Sequence, residues 1–251
     1  MAESYLNISK EIAHEIRLVM TDVDGTITSG DSQFTPPVTR AICELEADGI
    51  RVGLVSGRDI TNLDDFAARL NVSGPLIGEN GAVARMRRGG EMVELGFSQA
   101  PALRALERLQ KLFPGAIEAG EWNKKRTKDL IIRVHGITTE ELKRHLDDIE
   151  LLDSGYVLHL AQKGISKGGT LMRLACLSGE ESLSPDKVLV LGDAPTDLTL
   201  FRLFPVSVLV VNPDLDAGGR EMLERSARFV TSACCGDGFA EVVQHILSLR
   251  H

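Results

Sequence analysis

Leu18-Val19-Met20-Thr21-Asp22-Val23-Asp24-Gly25-Thr26-Ile27-Thr28 is the stretch on which the reading of this chain turns. An apolar run fit for a buried strand stops at two aspartates, and glycine and threonine follow at once. Strand residues two apart share a face, so Asp22 and Asp24 leave the strand as neighbours, and Gly25 lets the chain turn away. In open α/β sheets, ligands bind beyond the carboxyl ends of the strands. Two carboxylates at such an end suit metal binding combined with proton transfer. A short D-x-D-G-T motif can also be a solvated turn, so the rest of the chain has to decide.

Downstream, Thr35-Pro36-Pro37 marks a helix start, with Val38, Ile42 and Leu45 at helical spacing and Gly49 as its stop. Residues 50–55 read as a second apolar strand, followed by Ser56-Gly57-Arg58. Asp59 is placed to cap a helix whose apolar face is Leu63, Phe66, Ala67 and Leu70. A short strand over 74–78 then ends at Glu79-Asn80-Gly81. Strand, helix, strand, helix, strand is the rhythm of a parallel sheet.

The texture changes after residue 81. Residues 82–86 and 91–95 flank Arg87-Arg88-Gly89-Gly90 as a plausible hairpin. Residues 101–113 form an amphipathic helix, 128–134 a strand, and Thr138 to Glu141 a capping box opening a helix to about Ile149. Residues 156–161 alternate like a half-buried strand. The parallel rhythm returns with a helix over 168–177, a buried strand over 187–191 ending at Gly192-Asp193-Ala194-Pro195-Thr196-Asp197, a short helix over 198–203, and a strand over 206–211 ending at Asn212. Helices over 217–225 and 239–249 close the chain. The expected fold class is α/β: a doubly wound parallel sheet, discontinuous over residues 1–81 and 162–251, with an α+β domain inserted over 82–161.

With 251 residues, 43% of them hydrophobic, the chain can bury a full core. A net charge of -8 argues against nucleic acid and anionic membrane surfaces as partners, and 4% aromatic residues argue against base-stacking platforms. No apolar run approaches a membrane span, and residues 1–16 show no signal-peptide core. Cys43, Cys176, Cys234 and Cys235 match no zinc spacing, which makes a reducing, cytoplasmic setting the expectation.

Several expected strand ends thus carry polar groups that could meet at one crevice: Asp22 and Asp24, Ser56 with the amide of Gly57, then Asp193 and Asp197. Lys167, just before a helix, can join them, with Lys163 as its rival. Clustered aspartates without countercharge resist ionising, and a lysine plus Mg2+, which prefers hard oxygen ligands, would resolve that conflict. Phosphoryl transfer fits these parts. Asp22 would be the nucleophile giving an aspartyl-phosphate, and Asp24 the general acid and then base. Lys167, Ser56 and the metal would stabilise charge on the transferring group.

The four motifs Asp22-Val23-Asp24-Gly25-Thr26, Ser56-Gly57-Arg58, Lys167 and Gly192 to Asp197 resemble those of the haloacid-dehalogenase superfamily over essentially the whole chain. The insertion is similar to the large α/β cap of its Cof-type and sucrose-phosphate phosphatase branch. The resemblance implies that the first aspartate is the nucleophile and that the second also ligates Mg2+ through its backbone carbonyl. It further implies that Asp193 is a direct ligand and Asp197 a ligand or its supporting partner. Residues 74–81, Ser154-Gly155-Tyr156 and His159-Leu160 look most like the archaeal-type phosphoglycolate phosphatases. Thr196 stands where that family usually has Asn.

Asn80 and Asn212, both at strand ends, are further candidates to line the site. The stretch Lys124-Lys125-Arg126 with Lys128 offers a basic partner for a substrate carboxylate, Arg126 first because guanidinium can hold it bidentately. Trp122 is expected in the cap core, and His159 is equally compatible with facing the crevice or with a structural role. The expected activity is Mg-dependent hydrolysis of a small phosphorylated metabolite, 2-phosphoglycolate first. A sugar-phosphate phosphatase is the near alternative, and a phosphomutase or a receiver-like signalling module the more distant ones.

Overall fold

The apolar run at Leu18–Thr21 is buried along its full length, in the middle of a sheet. It carries no polar alternation because helices cover both faces of the sheet, as in parallel α/β proteins generally. In a computed structural model, which describes residues 1–28, 33–154 and 157–251, the strands are β1 (Glu3–Ser4), β2 (Leu18–Thr21), β3 (Arg51–Val55), β4 (Leu76–Gly78), β5 (Val83–Arg85), β6 (Ile117–Glu118), β7 (Leu130–Val134), β8 (Ile149–Asp153), β9 (Leu158–Gln162), β10 (Val188–Gly192), β11 (Val206–Val211) and β12 (Phe229–Cys234). The α-helices are α1 (Lys10–Glu15), α2 (Pro36–Ala47), α3 (Ile60–Leu70), α4 (Ala100–Leu112), α5 (Thr139–Lys143), α6 (Lys167–Ser178), α7 (Leu198–Leu203), α8 (Ala217–Glu224) and α9 (Cys235–Arg250).

The larger sheet has the order β1-β12-β11-β10-β2-β3-β4-β5. All its pairs are parallel except β4 with β5. Val19, Val52, Leu189 and Leu191 pack toward α2, α3 and α9 on one face. Leu18, Met20, Val188 and Val190 pack toward α6 and α7 on the other. Burying each such side chain contributes about 1.5–3 kcal/mol, which makes the β2–β10 seam a rigid support. Register then places the site: Thr21 lies opposite both Leu191 and Leu54. The ends of β10, β2 and β3 are therefore flush, and Asp193, Asp22 and Ser56 emerge side by side.

The second sheet, β6-β7-β9-β8, is antiparallel throughout and packs against α4 and α5 around Leu109, Ile132, Leu142 and Leu160. It forms a cap. Three expectations need correction. The helix opening at Thr138 stops at Lys143, because Ile149 and Leu151 turn inward at strand spacing and pair with β9. The hairpin over 82–95 shrinks to β5 and one bridge, Arg85 to Met92, since β5 pairs with β4 instead. β12, which the sequence reading passed over, precedes a last helix that starts at Cys235 rather than Phe239. Gly155 and Tyr156, part of the archaeal-type resemblance and of the strand expected from 156, lie outside the described residues. Among the described residues no helix is long and apolar enough to cross a membrane.

Candidate active site

Asp22 continues the β2 ladder, its amide donating to Leu191 O at 2.9 Å. Its side chain is buried, and Oδ1 accepts from Lys167 Nζ at 2.6 Å. The same ammonium donates to Asp197 Oδ1 at 2.7 Å. Asp197 Oδ2 in turn accepts from the amides of Asp193 and Ala194, at 3.0 Å each. Asp197 is thus a bracket that holds the loop after β10 and the lysine together. Lys163, the rival, is exposed, whereas Lys167 is buried at the first turn of α6. Asp193 Oδ1 accepts from Thr26 Oγ1 and Oδ2 from Asn212 Nδ2, both at 2.6 Å. Asn212 therefore orients a carboxylate, with its own Oδ1 taken by the Asp214 amide.

Gly25 is required here on two counts. Its φ is +84°, and a Cβ would stand 2.3 Å from Asp193 Oδ2. The turn after the two aspartates is shaped to let a third reach over it.

Carboxylate oxygens of Asp22, Asp193 and Asp197 lie within 4.8 Å of one another, all three residues buried, with Lys167 bonded to two of them. Burial, reinforced by Asp197 and Asp193, pushes the Asp22 carboxyl well above its usual range despite Lys167. Burial and Asp197 push Asp193 up to about 7. Burial works against the Lys167 ammonium, but Asp197 and Asp22 outweigh it and hold its pKa above the usual range. Three hard-oxygen anions against one ammonium form a donor set that fits a divalent cation such as Mg2+.

Asp24 stands outside this cluster. Its two oxygens accept from Arg58 Nε at 2.7 Å and Arg58 Nη2 at 2.5 Å, and the guanidinium lies 5.0 Å above the Phe66 ring centre. Ser56 is buried, and its Oγ accepts from the Arg58 amide at 3.2 Å. These groups open onto one cavity of about 460 Å3, which Asp22, Asp24, Ser56, Gly57, Lys167 and Asn212 line from the large sheet. Asn80 lines it too, with φ +57° and 2% exposure, and neither atom of its side-chain amide has a partner. Leaving a buried amide unpaired costs about 1–3 kcal/mol, so this one is waiting for a ligand or water.

From the cap, Arg126, His159 and Trp122 face the same space. The expected bidentate grip of Arg126 on a substrate needs correcting. Its Nε and Nη2 already hold the Asp129 carboxylate at 2.5 and 2.8 Å, and Nη2 also donates to Gly57 O at 2.7 Å. Trp122 is a wall rather than core: its ring lies half-buried against the cavity with Arg133 stacked 4.7 Å away. Lys124 pairs with Glu121, and Lys128 Nζ donates to Phe97 O at 2.6 Å.

Two residues were missed altogether. Glu79, with φ +51° and no exposed surface, takes the amides of Thr127, Lys128 and Asp129 on its carboxylate at 2.8–2.9 Å and so ties the large sheet to the cap. Asp129 is the hub joining Arg126 and His159. The only signal for Glu79 was its place directly after an apolar strand, and Asp129 had only its place just before one.

Comparison with known proteins agrees with this geometry. A family model described as haloacid dehalogenase-like hydrolase matches residues 19–119. Phosphoglycolate phosphatases of Methanopyrus kandleri and Methanoculleus marisnigri are 29% and 28% identical, over 92% and 91% of this chain and 97% and 96% of their own lengths. A Thermoplasma acidophilum structure superposes with a TM-score of 0.78 at 24% identity, over 93% of this chain and 99% of that one. A haloacid dehalogenase-like hydrolase from Bacteroides thetaiotaomicron does so with a TM-score of 0.71 at 18% identity, over 92% and 99%. With the motif-bearing strands, the shared fold and relatives matched nearly end to end, this chain is a phosphatase, similar to the haloacid dehalogenase-like hydrolases.

Proposed function

We propose that this protein hydrolyses a small phosphorylated acid, 2-phosphoglycolate first, through an aspartyl-phosphate on Asp22 and with Mg2+ bound. The observation that carries the reading is the Asp22–Lys167–Asp197 bracket beside Asp193, with Asp22 and Lys167 lining one cavity. Asp22 and Asp193 are the side chains that would hold the cation, with Asp197 bracing them and Asp24 offering its main-chain carbonyl. When bound, the cation supplies the missing positive charge at the phosphate oxygens.

Asp22 attacks phosphorus as the carboxylate, while Lys167 stays bonded to it and offsets negative charge on the transferring group. Ser56 and the Gly57 amide are positioned for the phosphate oxygens. Asp24 delivers a proton to the departing alkoxide, then removes one from the water that cleaves the acyl-phosphate. For the first of these steps the Arg58 fork must open, because Arg58 Nε and Nη2 occupy both Asp24 oxygens that would have to reach the leaving group.

The relatives named as phosphoglycolate phosphatases support the choice of substrate class. One observation favours a larger sugar phosphate as second reading: the Trp122 ring forms part of the cavity wall, as a sugar face would require. Four free cysteines, three of them exposed, suit a reducing compartment such as the cytoplasm. Phosphate release from 2-phosphoglycolate, sucrose-6-phosphate and hexose phosphates tests the proposal, with Mg2+, with chelator and with Asp22→Asn. Metal-dependent and Asp22-dependent release from phosphoglycolate is the expected result. Release from hexose phosphates alone would leave the chemistry and overturn the substrate, and release that survives Asp22→Asn would overturn the mechanism.

A further inference from the structure

His159 Nδ1 lies 2.9 Å from Asp129 Oδ2. An ionised carboxylate only accepts, so Nδ1 carries a proton and the ring's remaining nitrogen, Nε2, is its titrating position. Although burial works the other way, His159 and Arg126 hold the Asp129 carboxyl below its usual range, so this tautomer is fixed. Burial, with Arg126 and Lys167 adding to it, outweighs Asp129 and keeps the imidazole below its ordinary pKa of 6.5. The ligand-free ring is therefore neutral at pH 7, and Nε2 is an acceptor.

The imidazole meets the orphaned Asn80 amide at one spot. A Cβ on Gly57 would stand 3.2 Å from His159 Cε1 and 3.2 Å from Asn80 Oδ1. The bare Cα of Gly57 thus lets a phosphate-side loop approach closely both an unpartnered buried amide and a cap histidine, and all three line the same cavity. The charged groups facing the ring are Asp129, Arg126 and Lys167, and Asp129 is already shared with Arg126. An arriving anion would relieve the repulsion that the two cations impose on an imidazolium.

We propose that His159 Nε2 and the Asn80 amide form the subsite for a carboxylate on the substrate's leaving group, and that this carboxylate draws one proton from solvent onto Nε2 as it binds. The proposal deepens the function given above and rests on it. His159 then selects for charge: a carboxylate is bound by an imidazolium donor, a hydroxylated leaving group by the neutral acceptor with no proton taken up. Asp129 is a positioning residue, since it acts only through the ring.

The test is titration calorimetry of the Asp22→Asn protein with Mg2+ at pH 7.5, in buffers of different ionisation enthalpy. The ligands are 2-phosphoglycolate and ethyl phosphate, which share a phosphomonoester and differ in the carboxylate. Phosphoglycolate should bring up to one proton more than ethyl phosphate. In Asp22→Asn with His159→Gln the difference should vanish, and phosphoglycolate should weaken by roughly tenfold, the scale of one charge-assisted hydrogen bond, while ethyl phosphate changes little. Equal proton counts for the two ligands overturn the proposal and leave the phosphatase reading intact, and that comparison needs no change at His159. A difference that persists in His159→Gln also overturns it. If neither ligand binds, the proposal and the phosphatase reading fall together.

Discussion

Replacing Glu79 with alanine should undock the cap loop from the large sheet. Its carboxylate accepts from three consecutive amides, Thr127, Lys128 and Asp129, at 2.9, 2.8 and 2.9 Å. Charge-assisted hydrogen bonds contribute about 1.5–3 kcal/mol each, a gross of roughly 5–9 kcal/mol. Against this stands the cost of burying the charge, visible in a Glu79 pKa raised by burial and then by Asp129. A net loss of about 3–5 kcal/mol is expected, as for other buried charges whose partners are left behind. At about 2–4 °C per kcal/mol for a chain of this size, Tm should fall by roughly 10 °C. Urea unfolding followed by tryptophan fluorescence is a suitable assay, because Trp122 lies in the cap segment that Glu79 anchors. Glu79→Gln is the discriminating variant. Its oxygen can keep the Lys128 and Asp129 amides while its NH2 faces the Thr127 N–H, so it should lose a clear part of what alanine loses, whereas a packing role would leave glutamine close to wild type. A loss under about 1 kcal/mol in both variants would refute the reasoning.

Gly25→Ala should cut kcat at least 100-fold, because the new Cβ displaces Asp193, and should cost about 1–3 kcal/mol for an alanine at φ +84°; steady-state kinetics beside thermal melts checks both. Without metal, stability should fall as pH rises from about 4 to 7. Asp193 is pushed from 3.8 to about 7, so the folded state binds more protons than the unfolded one across that window, an effect on the order of 4 kcal/mol. Denaturation in chelator should show that slope, Mg2+ should remove it, and Asp193→Asn should flatten it. Lys167→Met leaves three buried carboxylates without their ammonium and should cost about 3–5 kcal/mol at pH 8. Much of that should return at pH 5, where Asp22 and Asp193 bind protons; urea melts at the two pH values decide.

The floor of the site was legible because its signals are local. An apolar run ending in Asp22-Val23-Asp24-Gly25 has to present carboxylates, and strand register carries Asp193 and Ser56 to the same edge. The choice of Lys167 over Lys163 came from the motif resemblance rather than from local signals, since geometrically it depends on which turn of the chain meets the sheet. The cap was read less well for the same reason. Arg126 looked like a free cation because Asp129 is three residues away in sequence but Gly57, its other acceptor, is sixty-nine away. Trp122 and His159 could be placed only by the packing of one sheet over the other. Strands β6 and β12 carry too short or too mixed an apolar pattern to stand out, and β8 was overridden by the helical signal of Thr138 just before it.

The strand order has a bearing on how this protein is made. β2, with Asp22, is joined to β3 on one side and on the other to β10, whose sequence lies some 170 residues later. A nascent chain therefore exposes the unpaired edge of a fully apolar-faced strand until the ribosome has delivered residues 188–191. The cap sheet and the helices packed on it come from one stretch, residues 100–162, and can assemble while that edge waits. Topology of this kind is slow to close and exposed to aggregation in the interval. Asp22 and Asp193 come together only once the chain has been made past residue 193, so the candidate site has no existence in shorter nascent chains.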